Sequence, residues 1–390
     1  MSFDAEMDAR RLVVAVGPGG VGKTTVAAAL ALREAVRGRR VVVLTIDPAK
    51  RLAQAMGLEG LGDEIRRVDL GALRAQGVDV KGELSAAMFD QAESMDDLMT
   101  RLSPDAATRD GILRNRVYRA MAGSLARSHA YLATERLYEV MNSGQYDLVV
   151  LDTPPARNAL DILDAPGRLN RFLEEGVVKW FVGKERKGLA GRLLSGGGAA
   201  MTKLFAMVVG EELMRETLDF FKVFYTLRDG FRDRADAVQA SFRAPTTAFA
   251  LVSSVDATHL DDARALAQSA ASRGVRIDYA IFNRAYERLE ADPQVLRVEV
   301  DPQLKNELDD LAAADPQWSE ALRTALVERV REAAQLNAAG LRAAEELAHE
   351  LPSSCARRIV PAADHDVRDI PGLWALTPAL LDAPQLRPRS

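Results

Sequence analysis

The chain has 390 residues, with 51 Lys+Arg against 56 Asp+Glu for a formal net charge of -5, 48% hydrophobic residues and one cysteine. That length allows two or three domains, or one large α/β domain carrying insertions, and the composition excludes a wholly disordered, collagenous or coiled-coil chain. The mild negative balance, with no dense Lys/Arg run, gives nucleic acid no electrostatic footprint, so no nucleic-acid partner is expected. The lone Cys355 has no internal disulfide partner, and the acidic start MSFDAEMDARR lacks the basic and apolar regions of a signal peptide. A cytoplasmic location is the expectation. No window reaches the ~18 uncharged apolar residues of a spanning helix, because Glu211, Glu212, Arg215 and Glu216 cut the greasiest stretch, so no integral membrane segment is expected.

Along the chain, short β-branched runs predict strands over Leu12–Val16, Val41–Ile46, Ile65–Val68, Leu148–Leu151, Thr247–Val252, Tyr279–Phe282 and Arg358–Val360, with helical stretches between them. Continuous apolar runs suit strands buried on both faces, and the fold class that follows is α/β, an open, mostly parallel, doubly wound sheet. Two intervals are too long for simple crossovers. The first predicts helices around Leu84–Leu102, Ala107–Leu125 and Ala130–Ser143; the second runs from Gly167 to about Arg243. The chain therefore reads as one domain over residues 1–390, with helical insertions at about 80–145 and 167–243.

The second insertion is rich in apolar residues: Val177, Val178, Trp180, Phe181 and Val182 come first. A glycine run at Gly196, Gly197 and Gly198 follows, and then residues from Met201 to Tyr225. Its apolar faces are wider than one buried stripe needs. They can pack on each other and on the core, or form an adaptable Met-rich groove for an apolar helical partner.

Residues 17 to 24 read GPGGVGKT, which matches G-x-x-x-x-G-K-[ST] between an apolar strand and a helical run. Gly17, Gly19, Gly20 and Gly22 let the backbone wrap a phosphate, with amides from Gly20 through Val21, Gly22, Lys23 and Thr24 to Thr25 turned inward. The helix starting near Lys23 directs its positive end at the anion. Lys23 would reach the β- and γ-phosphates of ATP, and Thr24 would hold Mg2+. Two acids follow strands where such a site needs them. Asp47, in TIDPAKRLAQ, can position an attacking water. Asp152, in LDTPPARNAL, can bind Mg2+ through water in the manner of a Walker B carboxylate.

The motifs GPGGVGKTT, TIDPAKRLAQ, LDTPPARNALDILDAP, IFNRAY and VPAADHDVRDIPGL together resemble the deviant Walker A ATPases of the arsenite-pump (ArsA) family. That family includes the tail-anchored-protein targeting ATPases and is related to the MinD/ParA positioning ATPases. The resemblance implies a P-loop NTPase in which Asp47 orients the attacking water and Lys23 assists, while Asp152 begins the second switch. It also places Asn283 as a reader of adenine and Pro361 at the start of a loop near the base. As function it implies a Mg2+-dependent, ATP-hydrolysing switch that works as a homo- or heterodimer with an ArsA-like subunit. The client would be a hydrophobic, tail-anchored-like segment. The alternatives are a regulatory or positioning ATPase, or a weakly hydrolysing subunit beside an active paralogue.

Three departures qualify that resemblance. The family's first loop lysine, which crosses to the partner subunit's nucleotide, is Pro18 here; either this subunit hydrolyses without a trans lysine, or a nearby cation such as Arg157 substitutes, or a different subunit supplies the lysine in a heterodimer. One cysteine makes neither a CxxC zinc clasp nor an arsenite-sensing thiol cluster, and His129, His259, His349 and His365 lack ligand spacing, so no structural metal is expected. A single phosphate loop makes any dimer intermolecular.

Overall fold

The computed structural model describes residues 3–46, 51–58, 64–89, 94–119, 129–154, 160, 162–164, 211–286, 306, 310, 320–363 and 366–382. In chain order the elements are α1 (Phe3–Asp8), β1 (Leu12–Val16), α2 (Lys23–Val36), β2 (Arg40–Thr45), α3 (Arg51–Ala55), β3 (Arg66–Arg67), α4 (Gly71–Ala75) and β4 (Glu83–Met88). They continue with α5 (Ser94–Leu102), α6 (Ala106–Arg114), α7 (His129–Asn142), β5 (Leu148–Asp152), α8 (Glu211–Arg243), β6 (Thr247–Ser254) and α9 (Ala257–Ser272). Last come β7 (Tyr279–Ala285), α10 (Glu320–Glu350), β8 (Ala356–Pro361), α11 (Ile370–Ala375) and α12 (Thr377–Asp382). Packing divides the chain into two compact units, one of Met1–Met88, Gly144–Leu160 and Pro245–Ser390, the other of Phe89–Ser143 and Asp161–Ala244.

The first unit is built on an eight-stranded sheet in the order β3-β4-β2-β5-β1-β6-β7-β8. Every neighbouring pair is parallel except β3 with β4 at one edge. All five residues of β1, all five of β5 and all eight of β6 are buried, as expected for central strands covered on both faces. β1 does not pair with β2, the next strand in sequence. It lies between β5 and β6, and the carboxyl ends of β2, β5, β1 and β6 therefore converge at one edge of the sheet, where open α/β folds bind ligands.

Helix α2 follows from its sequence, KTTVAAALALREAV. Alanines let its backbone approach the sheet closely, while Val26, Leu30 and Leu32 fill the space between, each side chain contributing roughly 1.5–3 kcal/mol of burial. Its last turn buries Glu34 completely. That carboxylate is paired with Arg33, with Arg37 at 3.2 Å and with Arg39 at 3.3 Å. Arg39 also donates to the carbonyls of Met7 at 3.1 Å, Arg10 and Asp147 at 2.9 Å, so one network ties α1, α2 and the amino ends of β2 and β5 together. Such a network holds only while complete, because removing Glu34 would leave cations without their buried counter-charge.

One sequence-based expectation is corrected. Residues 84–88, expected at the start of a helix, form β4, which pairs in parallel with β2 from Arg40↔Glu83 to Thr45↔Met88. The segment ELSAAM is made of good helix formers, and its alternating, half-buried pattern is imposed by the neighbouring strand rather than by local propensity. The strand expected over Ile65–Val68 is reduced to two exposed residues, held by β4 in antiparallel register.

The described elements of the second unit are all helices. Asn115 accepts from the amides of Val117 and Tyr118 with its side-chain oxygen, while its Nδ2 donates to the Glu216 carbonyl of α8 at 2.9 Å. Tyr118, 2% exposed, donates its hydroxyl to Asp96 and sets its ring against Phe220 at 6.5 Å between centroids. Burial and the Asp96 carboxylate both push the Tyr118 phenol above its ordinary range, so it stays a neutral donor. Arg234 pairs with Glu135 at 3.3 Å and stacks 5.0 Å from the centre of the Tyr138 ring. Within α8, Phe220 and Leu227 are buried; the apolar run from Val177 to Val209 lies outside the described residues. Among the described residues no helix is long and apolar enough to cross a membrane, and no group of three or more His, Cys, Asp or Glu has metal-ligand placement.

Candidate nucleotide site

The phosphate loop joins β1 to α2, and its backbone explains its glycines. Gly20 and Gly22 have φ of 81° and 85°, the left-handed region that residues with a Cβ rarely enter. Gly17 serves a different need: a Cβ there would run into the Val252 carbonyl of β6. Pro18 is buried within the loop and presents no donor. Helix α2 starts at Lys23 with Gly22 as its N-cap and no side chain capping it, so its first amides face the loop as an anion-binding end.

Around this loop the structure gathers four side chains from two strand ends and one helix. Lys23, 6% exposed, donates from Nζ to the Thr153 carbonyl at 2.5 Å and lies 3.6 Å from Asp152 Oδ1. Thr24 donates its hydroxyl to Asp152 Oδ2 at 2.8 Å, and Thr45, at the end of β2, donates to the same oxygen at 3.0 Å. Asp152 is fully buried at the end of β5, and its Oδ1 has no hydrogen-bond partner among the described residues. Thr153 is anchored in turn by its hydroxyl, which donates to the Ala15 carbonyl of β1 at 2.7 Å.

A buried carboxylate oxygen that accepts no hydrogen bond, next to a threonine hydroxyl, is the kind of hard oxygen donor set that Mg2+ takes. The residues present therefore fit the metal expected at Thr24 and Asp152. Lys23 is close enough to hold Asp152 by charge.

Asp47 and Arg157 lie outside the described residues. The chain leading to Asp47 is described up to Ile46, whose amide donates to the Asp152 carbonyl at 3.1 Å, so the β2 exit is tied to the end of β5. Asn283 and Pro361 come from the far side of β6. Asn283, 8% exposed, donates from Nδ2 to the Val21 carbonyl of the phosphate loop at 2.8 Å. Pro361 pairs with Ala285 at the end of β8, and the Ala362 amide donates to the Ala285 carbonyl at 2.8 Å. Asp366 and Arg368 form an exposed ion pair at 2.9 Å, which contributes little.

Three contributors carried no sequence signal of their own. Thr45 opens TIDP and reads as an ordinary strand residue. Thr153 and Val21 act through backbone carbonyls that any residue type supplies. At the end of β6, Ser254 shares a 2.7 Å hydrogen bond with His259 Nδ1 and stands opposite Asn283 in the sheet register. Cys355 takes no part: burial pushes its thiol up to about 12, far from a reactive thiolate.

A parallel sheet with a phosphate loop after its central strand, an uncapped helix start carrying Lys and Thr, and a buried strand-end Asp defines the P-loop NTPase class. The sequence profile of the anion-transporting ATPase family (ArsA ATPase) matches residues 10–310, most of the chain. The chain belongs to this family. An uncharacterized protein of Streptomyces coelicolor is 35% identical to it over 170 residues, 42% of this chain and 39% of that protein. The Aspergillus terreus protein named ATPase get3 is 28% identical over 164 residues, 42% of this chain and 45% of its own length. In each case the match spans less than half of the relative.

Proposed function

We propose that this protein is a Mg2+-dependent ATP-hydrolysing switch that works as a dimer. The observation that carries the reading is the engagement of Lys23 and Thr24 with the end of β5: Lys23 on the Thr153 carbonyl, Thr24 on Asp152. An arriving γ-phosphate would compete with Thr153 for the Lys23 ammonium, while Thr24 and Asp152 would be the residues that hold Mg2+. Binding therefore releases the residues after Asp152, including Pro154, from the loop; loss of the phosphate lets them return. A bound Mg2+ would neutralise phosphate charge as it transfers to water. Asp47 orients that water, Lys23 and the loop amides hold the phosphates, and Asn283 and Pro361 face the base. The client is an apolar helical segment, with the second insertion as its seat.

Pro18 motivates one competing reading, a subunit that binds ATP and hydrolyses it weakly until a partner supplies a cation. Steady-state phosphate release by the purified protein and by Asp47→Asn decides between them. Turnover by the wild type, lost in a variant that still binds ATP, upholds the switch. Binding without turnover in both supports the partner-dependent subunit, and absence of ATP binding overturns both.

A further inference from the structure

We propose that Asn283 is a positioning residue of the phosphate loop, clamping the Val21–Gly22 peptide in the orientation that binds phosphate. This deepens the nucleotide-binding reading and rests on it.

The argument starts from one peptide bond. Asn283 Nδ2 donates to the Val21 carbonyl at 2.8 Å in a buried setting, across 262 residues of sequence. A trans peptide points its C=O and N–H to opposite sides, so holding the Val21 oxygen toward β7 turns the Gly22 N–H away from it. That orientation needs holding. Gly22 sits at φ 85°, and glycine accepts both signs of φ, so the Val21–Gly22 peptide can flip at little cost unless an outside group fixes it. A flipped peptide would present an oxygen where the loop must present an amide.

The clamp is built into β7. The β7–β8 register shifts between Phe282 and Ala285, and Arg284, inside that bulge, takes a φ of 61°, the one non-glycine residue with positive φ among those described. Bulges re-aim a side chain at the end of a strand, and backbone strain of this kind persists where the surroundings over-determine it. The register with β6 sets Asn283 opposite Ser254, and a Cβ on Gly22 would overlap Asn283 Nδ2, so the carboxamide and position 22 fit only as a pair. The carboxamide has a second N–H and an oxygen. Among the described residues these have no other partner and remain for a nucleobase edge, which makes Asn283 a bridge between base and phosphate loop rather than a reader of the base alone.

The probe is tripolyphosphate, which has neither base nor ribose. Its affinity and that of ATP are measured for wild type, Asn283→Ala and the near-isosteric Asn283→Asp, whose carboxylate offers Val21 no donor. Amide exchange of residues 17–25 is followed in the same nucleotide-free proteins. Losing one hydrogen bond predicts tripolyphosphate binding weaker by about fivefold or more in both variants, and faster loop exchange by a similar factor. Exchange in β1 stays unchanged, which separates a loosened loop from a loosened fold. Weaker ATP binding with unchanged tripolyphosphate binding and unchanged loop exchange would overturn the clamp and leave Asn283 serving the base alone. Wild-type behaviour of Asn283→Asp would overturn it too. Should the wild type bind neither ligand, the nucleotide reading falls, and loop exchange alone decides whether Asn283 clamps Val21.

Discussion

Replacing Asp152 by Asn tests the site without any nucleotide. The amide keeps the volume and can still accept from Thr24 and Thr45, but it presents an NH2 to Lys23 instead of a carboxylate oxygen at 3.6 Å. At an effective dielectric of about 20, the lost attraction is about 4–5 kcal/mol. Lys23 keeps its 2.5 Å bond to the Thr153 carbonyl, so the net loss of stability is put at about 2–3 kcal/mol, below the ~3–5 kcal/mol typical of breaking a buried pair. Lys23→Met in the Asp152→Asn background removes the stranded charge, and the double variant should recover about 2 kcal/mol, a coupling that only residues in contact show. Urea unfolding is followed at Trp374, which packs against the core of the sheet unit, with Trp180 and Trp318 changed to Phe throughout. With a slope of about 3 kcal/mol/M, the midpoint of Asp152→Asn falls by roughly 0.7–1 M. An Asp152→Asn protein as stable as its parent, or single effects that simply add, would refute the placement of a charged Lys23 against Asp152.

The two kinds of glycine in the loop should separate in the same assay. Gly20→Ala meets no atom within 4 Å but must hold a φ of 81°, costing about 1–2 kcal/mol, while Gly17→Ala must push β6 away and costs about 3 kcal/mol; equal losses would show that the β1–β6 approach is not tight. Asp147 is held down to about 2, first by the hydrogen bond from the Arg40 guanidinium and then by that from the Arg40 amide. A carboxylate depressed in the fold contributes stability above its unfolded value near 4, and loses it as pH falls through about 2. Asp147→Asn therefore lowers the urea midpoint at pH 6 and by much less at pH 2, and a gap as large at pH 2 as at pH 6 contradicts the pairing. Cys355, 5% exposed, should resist a thiol reagent at pH 8 in the folded protein and react once urea unfolds it; prompt labelling of the native protein would refute its burial.

The central strands were legible because each is a continuous apolar run buried on both faces, and the phosphate loop was legible because its glycines, Lys23 and Thr24 are consecutive. β4 was not: ELSAAM looks helical, and only its pairing with β2 makes it a strand. Asp152 could be placed from the sequence, but not its partners. Thr45 is brought to it by the strand order, and Lys23 meets the Thr153 carbonyl, a group every residue carries. The link from Asn283 to Val21 has the same character, a side chain meeting a distant carbonyl across a sheet whose register no local pattern states. The apolar second insertion remains an expectation from composition.

Calorimetric titration of the wild type and of Lys23→Ala with ATP and Mg2+ tests the central claim most directly. The account predicts one nucleotide bound per wild-type chain. Lys23→Ala should bind at least about tenfold more weakly, the loss expected when a hydrogen bond to a charged group is removed. Equal affinity in the two proteins, or no binding by the wild type, would contradict it.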